Sequence, residues 1–296
     1  MPLRRYVSGM MTLGWEPLGK VSPRQLTEAR VLLHHAAQLV AAVGRCLVAP
    51  RPDDGHTSLE WRAGARALAG QEVPGPRPWR AALRPDELSL AVLARDAEVG
   101  RLGLTGRRQV EAFAWIVDKA GDLGAPVEWM RMEAPYTIPE HPVDGGAPFT
   151  AGDDAALAEV ARWFAAGDDL VRTVASGWPG AAPVRVWPHH FDVGSVLPLG
   201  GGQGDTAPSI GVGLSPGDEG IPEPYLYVTP WPPPPAESLP DLPAGGRWHR
   251  EGWIGAVLTG SEIVAAGGGA DQAAGASAFL GGTVELLRAG YQRSRS

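Results

Sequence analysis

Ser22-Pro23-Arg24-Gln25-Leu26-Thr27-Glu28-Ala29 opens the stretch that decides the fold, which continues to Val48. Ser22 followed by proline is typical of a helix start. Apolar residues then recur every three or four positions, which predicts one amphipathic helix over residues 22–48: Leu26, Ala29, Leu33, Ala36, Val40, Val43 and Leu47. His34 lies on the polar flank of this helix, so we expect its side chain to be solvated or to cap a neighbouring group.

The same order of elements recurs further along the chain. Helical periodicity returns over residues 108–123, 153–176 and 271–291. Between the helices, short runs bounded by glycine and proline predict strands. These runs lie at 56–61, 80–83, 88–93, 98–104, 183–190, 209–214, 225–230 and 252–258. Each half of the chain therefore reads as a helix, several strands and a closing helix.

This order predicts an α+β protein of two similar halves, each with a long helix, a small antiparallel sheet and a closing helix. Gly145-Gly146-Ala147-Pro148 is the best candidate boundary. The expected organisation is an N-terminal tail over 1–21, one half over 22–150 and a second over 151–296 that carries the candidate site. Two alternative explanations of this repetition stay open: a duplication whose copies have diverged, and a chance similarity in the order of elements.

The amino-acid composition disfavours nucleic-acid-binding, disulfide-bonded and membrane-bound classes of protein. The 296 residues are 44% hydrophobic and 20% charged, as in globular proteins. Residues 1–124 hold 17 Lys+Arg against 13 Asp+Glu, whereas residues 125–296 hold 9 against 20. An acidic second half disfavours nucleic acid as a partner. The single cysteine, Cys46, excludes an intramolecular disulfide. The absence of a long apolar run disfavours a membrane partner and predicts a cytoplasmic protein.

Two histidine-bearing segments predict a metal site. They are Trp187-Pro188-His189-His190-Phe191-Asp192 and Trp248-His249-Arg250-Glu251-Gly252-Trp253. If the first segment is a strand, His190 and Asp192 point to the same side. Together with the distal His249 they supply the two histidines and one carboxylate of a non-heme iron site, or ligands for zinc. Glu251 or Glu223 would then be the general base.

Aromatic residues around these segments predict a pocket for a small organic molecule. The expected substrate-binding residues are Trp187, Tyr225, Tyr227, Trp248 and Trp253, and Trp231 lies in the same part of the sequence. The leading hypothesis is a metal-dependent oxidoreductase or hydrolase. Two alternatives stay open: a non-catalytic small-molecule-binding or interaction module, and a metal-free acid/base enzyme that uses a His249–Glu251 or His190–Asp192 pair. No phosphate-binding glycine motif supports a nucleotide cofactor, and the oligomeric state is left open.

Three short motifs resemble an uncharacterised bacterial domain-of-unknown-function family. They are Ile138-Pro139…Pro148-Phe149, Phe191-Asp192 and Glu223-Pro224-Tyr225-Leu226-Tyr227. The resemblance spans residues 24–260 and implies a helix, then a Phe-Asp strand, then a Pro-x-Tyr-x-Tyr strand. It brings no activity to transfer. The family has small residues before Phe-Asp, which implies that His189 and His190 are peculiar to this branch.

Overall fold

The computed structural model describes residues 15–95, 97–200 and 207–294. Its helices are α1 (Thr27–Leu47), α2 (Gln109–Asp122), α3 (Asp154–Ser176), α4 (Gly260–Ala265) and α5 (Gly269–Ser294). The four long helices match the periodic stretches of the sequence, and α4 is an addition. In the described part of the chain, no helix is both long and apolar enough to cross a membrane.

Among the described residues, eleven strands form one antiparallel sheet in the order β10-β11-β9-β8-β7-β6-β1-β2-β3-β4-β5. The strands are β1 (Leu59–Arg62), β2 (Ala67–Gly70), β3 (Trp79–Arg84), β4 (Ser89–Ala94), β5 (Ala97–Gly103), β6 (Arg185–Trp187), β7 (Asp192–Pro198), β8 (Ser209–Ser215), β9 (Tyr225–Trp231), β10 (Arg247–His249) and β11 (Gly255–Thr259). The prediction of two small separate sheets is therefore wrong, although the α+β character holds. Strand pairing depends on long-range contacts that periodicity along the chain does not encode.

The residues group into two compact units. The first unit comprises Gln25–Ala161 and Arg185–Asp192. The second unit comprises the described residues among 1–24, 162–184 and 193–296. The predicted division at residue 150 stays a prediction.

In the first unit, helix α1 covers the sheet and is buried over most of its length. A methyl group placed on Gly70 of β2 would lie 3.1 Å from Val40 of α1, which marks the helix-covered face of the strand. Leu59 and Trp61 alternate with half-exposed residues along β1, as expected for a strand with one buried face. Part of the core of this unit therefore lies between α1 and one face of its strands. A second buried cluster lies on the opposite face of the same strands and comprises Ala67, Ala69, Ala82, Ala91 and Leu93.

Two turns of the first unit share one design. Arg84-Pro85-Asp86-Glu87-Leu88 ends with Leu88 in the left-handed region (φ +43°) immediately before β4. Trp187-Pro188-His189-His190-Phe191 ends with Phe191 in the same region (φ +56°) immediately before β7. In both, proline follows the last strand residue and the left-handed side chain is buried. Burial of an apolar side chain offsets the strain of a left-handed residue that is not glycine.

The second unit has a sheet with two unlike faces. On one face, Ile210, Val212, Leu226 and Val228 of β8 and β9 are fully buried. Helix α3 packs on this face so closely that a methyl group on Gly167 would lie 2.8 Å from Val193 Cγ1 and 2.9 Å from Leu214 Cβ. The opposite face carries the glycine, tyrosine and tryptophan residues of the same strands.

We expect Gly167→Ala to lower the free energy of unfolding by about 1–3 kcal/mol, because the added methyl group overpacks the contact between α3 and the sheet. The matched control is Gly275→Ala in α5, where a methyl group would meet no heavy atom within 4 Å. That variant should gain up to about 1 kcal/mol from helix propensity. Chemical denaturation of both variants measures the difference. A stabilised Gly167→Ala protein would contradict the close packing.

Candidate functional site

The histidine segment is a turn and not a strand. Strand β6 ends at Trp187, residues 188–191 form the turn, and β7 begins at Asp192. Phe191 N donates a hydrogen bond to Trp187 O at 2.7 Å and closes the turn. The expected strand alternation, which placed His190 and Asp192 on the same side, is therefore wrong. Proline at the first turn position and the left-handed Phe191 interrupt the extended backbone.

Helix α1 holds this turn through buried polar side chains. His34 Nε2 donates to Pro188 O at 2.8 Å, and Gln38 Nε2, one helical turn further, donates to the same oxygen at 2.7 Å. Tyr136 Oη donates to Gln38 Oε1 at 2.9 Å. His34 and Gln38 are only 5% and 6% exposed, so the expectation of a solvated His34 is wrong. The carbonyl of Pro188 replaces water as their hydrogen-bond partner.

The surroundings of His34 favour its neutral form. Its ring stacks on Phe191 with centroids 5.0 Å apart and planes 6° from parallel. Burial lowers the pKa of His34 from 6.5 to about 4, against the opposing effect of the hydrogen bond to Pro188 O. The neutral imidazole carries one N–H, and that N–H is directed at the carbonyl of Pro188. The residue thus acts as a fixed donor that positions the turn.

The two histidines of the turn are exposed at its tip. The His189 ring lies 4.3 Å from that of His190 and 5.9 Å from that of Trp187. Asp192 is 8% exposed at the start of β7. His189, His190 and Asp192 therefore lie in one short segment of the first unit, with the imidazoles in the turn and the carboxylate at the first residue after it.

The three predicted metal ligands are divided between the units. His190 and Asp192 belong to the first unit, and His249 belongs to the second. Within residues 15–95, 97–200 and 207–294, no three His, Cys, Asp or Glu side chains are grouped so that they could hold a metal ion. The iron or zinc site stays a prediction.

The two predicted general bases have different surroundings. Glu223 is 6% exposed, and its Oε2 accepts a hydrogen bond from Ser261 N at 2.7 Å, in the first turn of α4. A carboxylate at this position stabilises the helix N-terminus. Glu251 is exposed, and its backbone oxygen accepts a hydrogen bond from His249 Nε2 at 2.7 Å. The predicted His249–Glu251 pair is therefore joined through a main-chain carbonyl rather than a carboxylate.

Three of the predicted aromatic residues and His249 do come together in the second unit. The Trp253 ring lies 4.5 Å from His249 and 6.4 Å from Tyr225, and Tyr225 lies 6.3 Å from Tyr227. The Tyr225 hydroxyl donates to Asp218 Oδ2 at 2.5 Å, which fixes the loop before β9. The Nε1 of Trp248 donates a hydrogen bond to Pro240 O at 2.7 Å.

Glycines allow these side chains to lie close to the sheet. A methyl group on Gly194 of β7 would lie 2.7 Å from Tyr227 Oη, and one on Gly213 of β8 would overlap the same hydroxyl. A methyl group on Gly255 would overlap the Trp253 ring and one on Gly211 would overlap Thr229 Oγ1. In the strand register, Gly194 pairs with Gly213 and Gly213 pairs with Tyr227. The missing Cβ atoms thus leave the space in which the rings pack.

A groove of about 420 Å³ lies on this face. Its strand residues are Val196, Ser209, Gly211, Thr229, Pro230 and Trp231. The remaining lining residues are Pro233 and residues 252–254, which include Trp253. Val196 is 48% exposed and Trp231 is 51% exposed. All ten lining residues are uncharged, so the groove offers aromatic and apolar surface with two hydroxyl groups.

Comparison of the chain with protein-family models, with curated proteins and with solved structures found no match. The resemblance seen in the sequence stays a prediction.

The sequence pointed to Trp253 and Trp231 but not to the other residues that line the groove. Val196 was missed because β7 was not predicted, and Gly211 was not among the expected substrate-binding residues. A usable signal was the alternation Gly211-Val212-Gly213 in β8 against Tyr227-Val228-Thr229 in β9. Glycine at every second position of a strand removes the side chains from one face, where rings of a neighbouring strand can then lie.

We expect Gly194→Ala to lower the free energy of unfolding by about 1–3 kcal/mol, because the new methyl group meets Tyr227 Oη. Tyr227→Phe removes that hydroxyl, so the double variant should be more stable than the sum of the single changes predicts. Gly103→Ala in β5, where a methyl group would meet nothing within 4 Å, is the control and should change stability by less than about 0.5 kcal/mol. Denaturation curves test this coupling. Strict additivity would contradict it.

We expect protonation of His34 to weaken the fold in acid. Because the pKa of His34 is about 4 in the folded protein and 6.5 for a freely solvated histidine, the unfolded chain binds more protons between these values. The free energy of unfolding should therefore fall as pH drops from about 6.5 to about 4, by up to about 3 kcal/mol from this group.

The test measures unfolding at pH 7 and pH 4 for the wild type, for His34→Gln and for His249→Gln. The difference between the two pH values should shrink in His34→Gln. It should persist in His249→Gln, which changes a half-exposed imidazole of the other unit. Equal pH dependence in the wild type and His34→Gln would show that this histidine is not held neutral.

Proposed function

We propose that the protein binds a neutral, ring-bearing small molecule in the groove on the open face of the second unit's sheet. The observation that carries this proposal is the lining: two tryptophans, glycines and short aliphatic, proline and hydroxyl side chains, with no charge among the ten residues. Ligand sites of this make-up combine apolar walls with a few polar groups that set orientation.

The size of the groove supports a small molecule. Its volume of about 420 Å³ falls within the range of roughly 300–1,000 Å³ seen for small-molecule sites. Val196 and Trp231 are about half exposed, so a ligand that covers them removes apolar surface from water. That burial is favourable by about 25 cal/mol per Å².

The charge of the groove supports a neutral ligand. An ionised group that enters it would lose hydration without meeting an opposite charge, and such desolvation is costly. The lining also holds no titratable side chain that could transfer a proton. These features favour the non-catalytic binding hypothesis over an acid/base enzyme.

We expect Trp231→Ala and Trp253→Ala each to weaken binding by about tenfold or more, since loss of a stacked ring removes on the order of 1.4 kcal/mol. The probes are indole and cellobiose as neutral ring compounds, and indole-3-acetate and cellobiouronic acid as their charged counterparts. Saturation-transfer NMR at millimolar ligand concentration detects weak binding of this kind. At least one neutral probe should bind more tightly than its charged counterpart.

The matched control is Trp129→Ala, which removes a tryptophan that is 68% exposed in the first unit. It should leave probe binding unchanged. Failure of indole, cellobiose and a second neutral disaccharide, maltose, to bind would overturn the proposal, and so would binding that survives both groove variants. Thermal unfolding of each variant establishes that lost binding does not come from lost folding.

A further inference from the structure

We infer that the ligand of this groove is a neutral saccharide. The inference rests on the proposed function and adds the chemical class of the ligand. It depends on three features. The groove is open on one side, and its polar side chains carry hydroxyl groups. On the paired strands, each of these hydroxyl residues lies opposite a tryptophan or a glycine.

Openness decides which kind of ring gains most from binding. Trp231 and Val196 lie on a sheet face and keep about half of their surface in water, so a bound ring has one face on the protein and the other in solvent. A ring that is apolar on both faces would keep one apolar face in contact with water and would gain nothing from burial on that side. A sugar ring has an apolar C–H face that can lie on an indole and hydroxyls around its edge that stay hydrated. The open groove therefore favours the sugar.

The strand register places hydroxyl groups next to the stacking surface. Ser209 of β8 pairs with Trp231 of β9, and Gly211 pairs with Thr229. Each hydroxyl can both donate and accept a hydrogen bond, as the hydroxyls of a sugar do. Thr229 Oγ1 donates to Gly211 O only at 3.5 Å, which is a long contact. A sugar hydroxyl can compete for that weakly engaged group.

Charge excludes acidic sugars and nucleic acid as the favoured ligands. No arginine or lysine is among the groove's lining residues. Residues 125–296, which supply all of the lining, hold 9 Lys+Arg against 20 Asp+Glu. An anionic ring would approach this region against its field and would find no cation to pair with. A neutral saccharide meets neither obstacle.

The test compares a sugar probe with an aromatic probe in the same groove. Cellobiose, maltose and indole are titrated into the wild type, Ser209→Ala and Thr229→Val, with binding followed by saturation-transfer NMR. We expect one of the two disaccharides to bind. We expect Ser209→Ala or Thr229→Val to weaken that disaccharide by about three- to tenfold, while indole binding changes by less than about twofold.

The control is Thr173→Val, which removes an exposed hydroxyl from α3, outside the groove lining. It should leave disaccharide binding unchanged. Indole binding without disaccharide binding would overturn the saccharide inference and leave the proposed function standing. Disaccharide binding that tolerates both hydroxyl variants would also overturn it. Failure of both indole and the disaccharides would remove the proposed function as well. Circular dichroism spectra and melting temperatures separate these outcomes from misfolding.

Discussion

The second unit depends on one constraint: at several positions in its strands and in α3, a neighbouring group lies so close that only glycine, which has no Cβ atom, fits. On one face, Gly167 brings α3 against Val193 and Leu214. On the other, Gly194 and Gly213 leave room for the tyrosine ring that lies over them. Glycine residues therefore permit close packing both in the core and at the candidate site. Because glycine disfavours an extended strand, its use here indicates that close approach outweighs strand propensity.

The sequence predicted the long helices well, because an apolar stripe of period 3.6 is a local signal that burial preserves. It predicted the sheet poorly. The three residues of β6 were merged with the following turn, and β7 was not seen. The turn was recognisable by comparison within the chain, since Trp187-Pro188-His189-His190-Phe191 repeats the design of Arg84-Pro85-Asp86-Glu87-Leu88. Which strands become neighbours could not be read from such local patterns.

The candidate site was predicted in part. Tyr225, Tyr227 and Trp253 lie together, because successive side chains on one face of β9 meet the loop before β11. The histidine and carboxylate residues drew attention for their chemistry, yet the best-defined histidine of the first unit is His34, on the buried side of α1. An amphipathic pattern identifies the polar face of a helix. It does not tell whether the polar side chains on that face are hydrated or donate hydrogen bonds to backbone carbonyls of another segment. Pro188 O supplied the missing partner.

The two units use polarity in opposite ways. In the first, His34 and Gln38 are removed from water and satisfied by one main-chain carbonyl, so their polar groups hold a turn in place. In the second unit, the apolar side chains of Trp231 and Val196 are about half exposed to solvent. Exposed apolar surface of this kind favours association with other molecules. These exposed side chains lie beside strand positions occupied by glycine, an arrangement that supports the proposed ligand site.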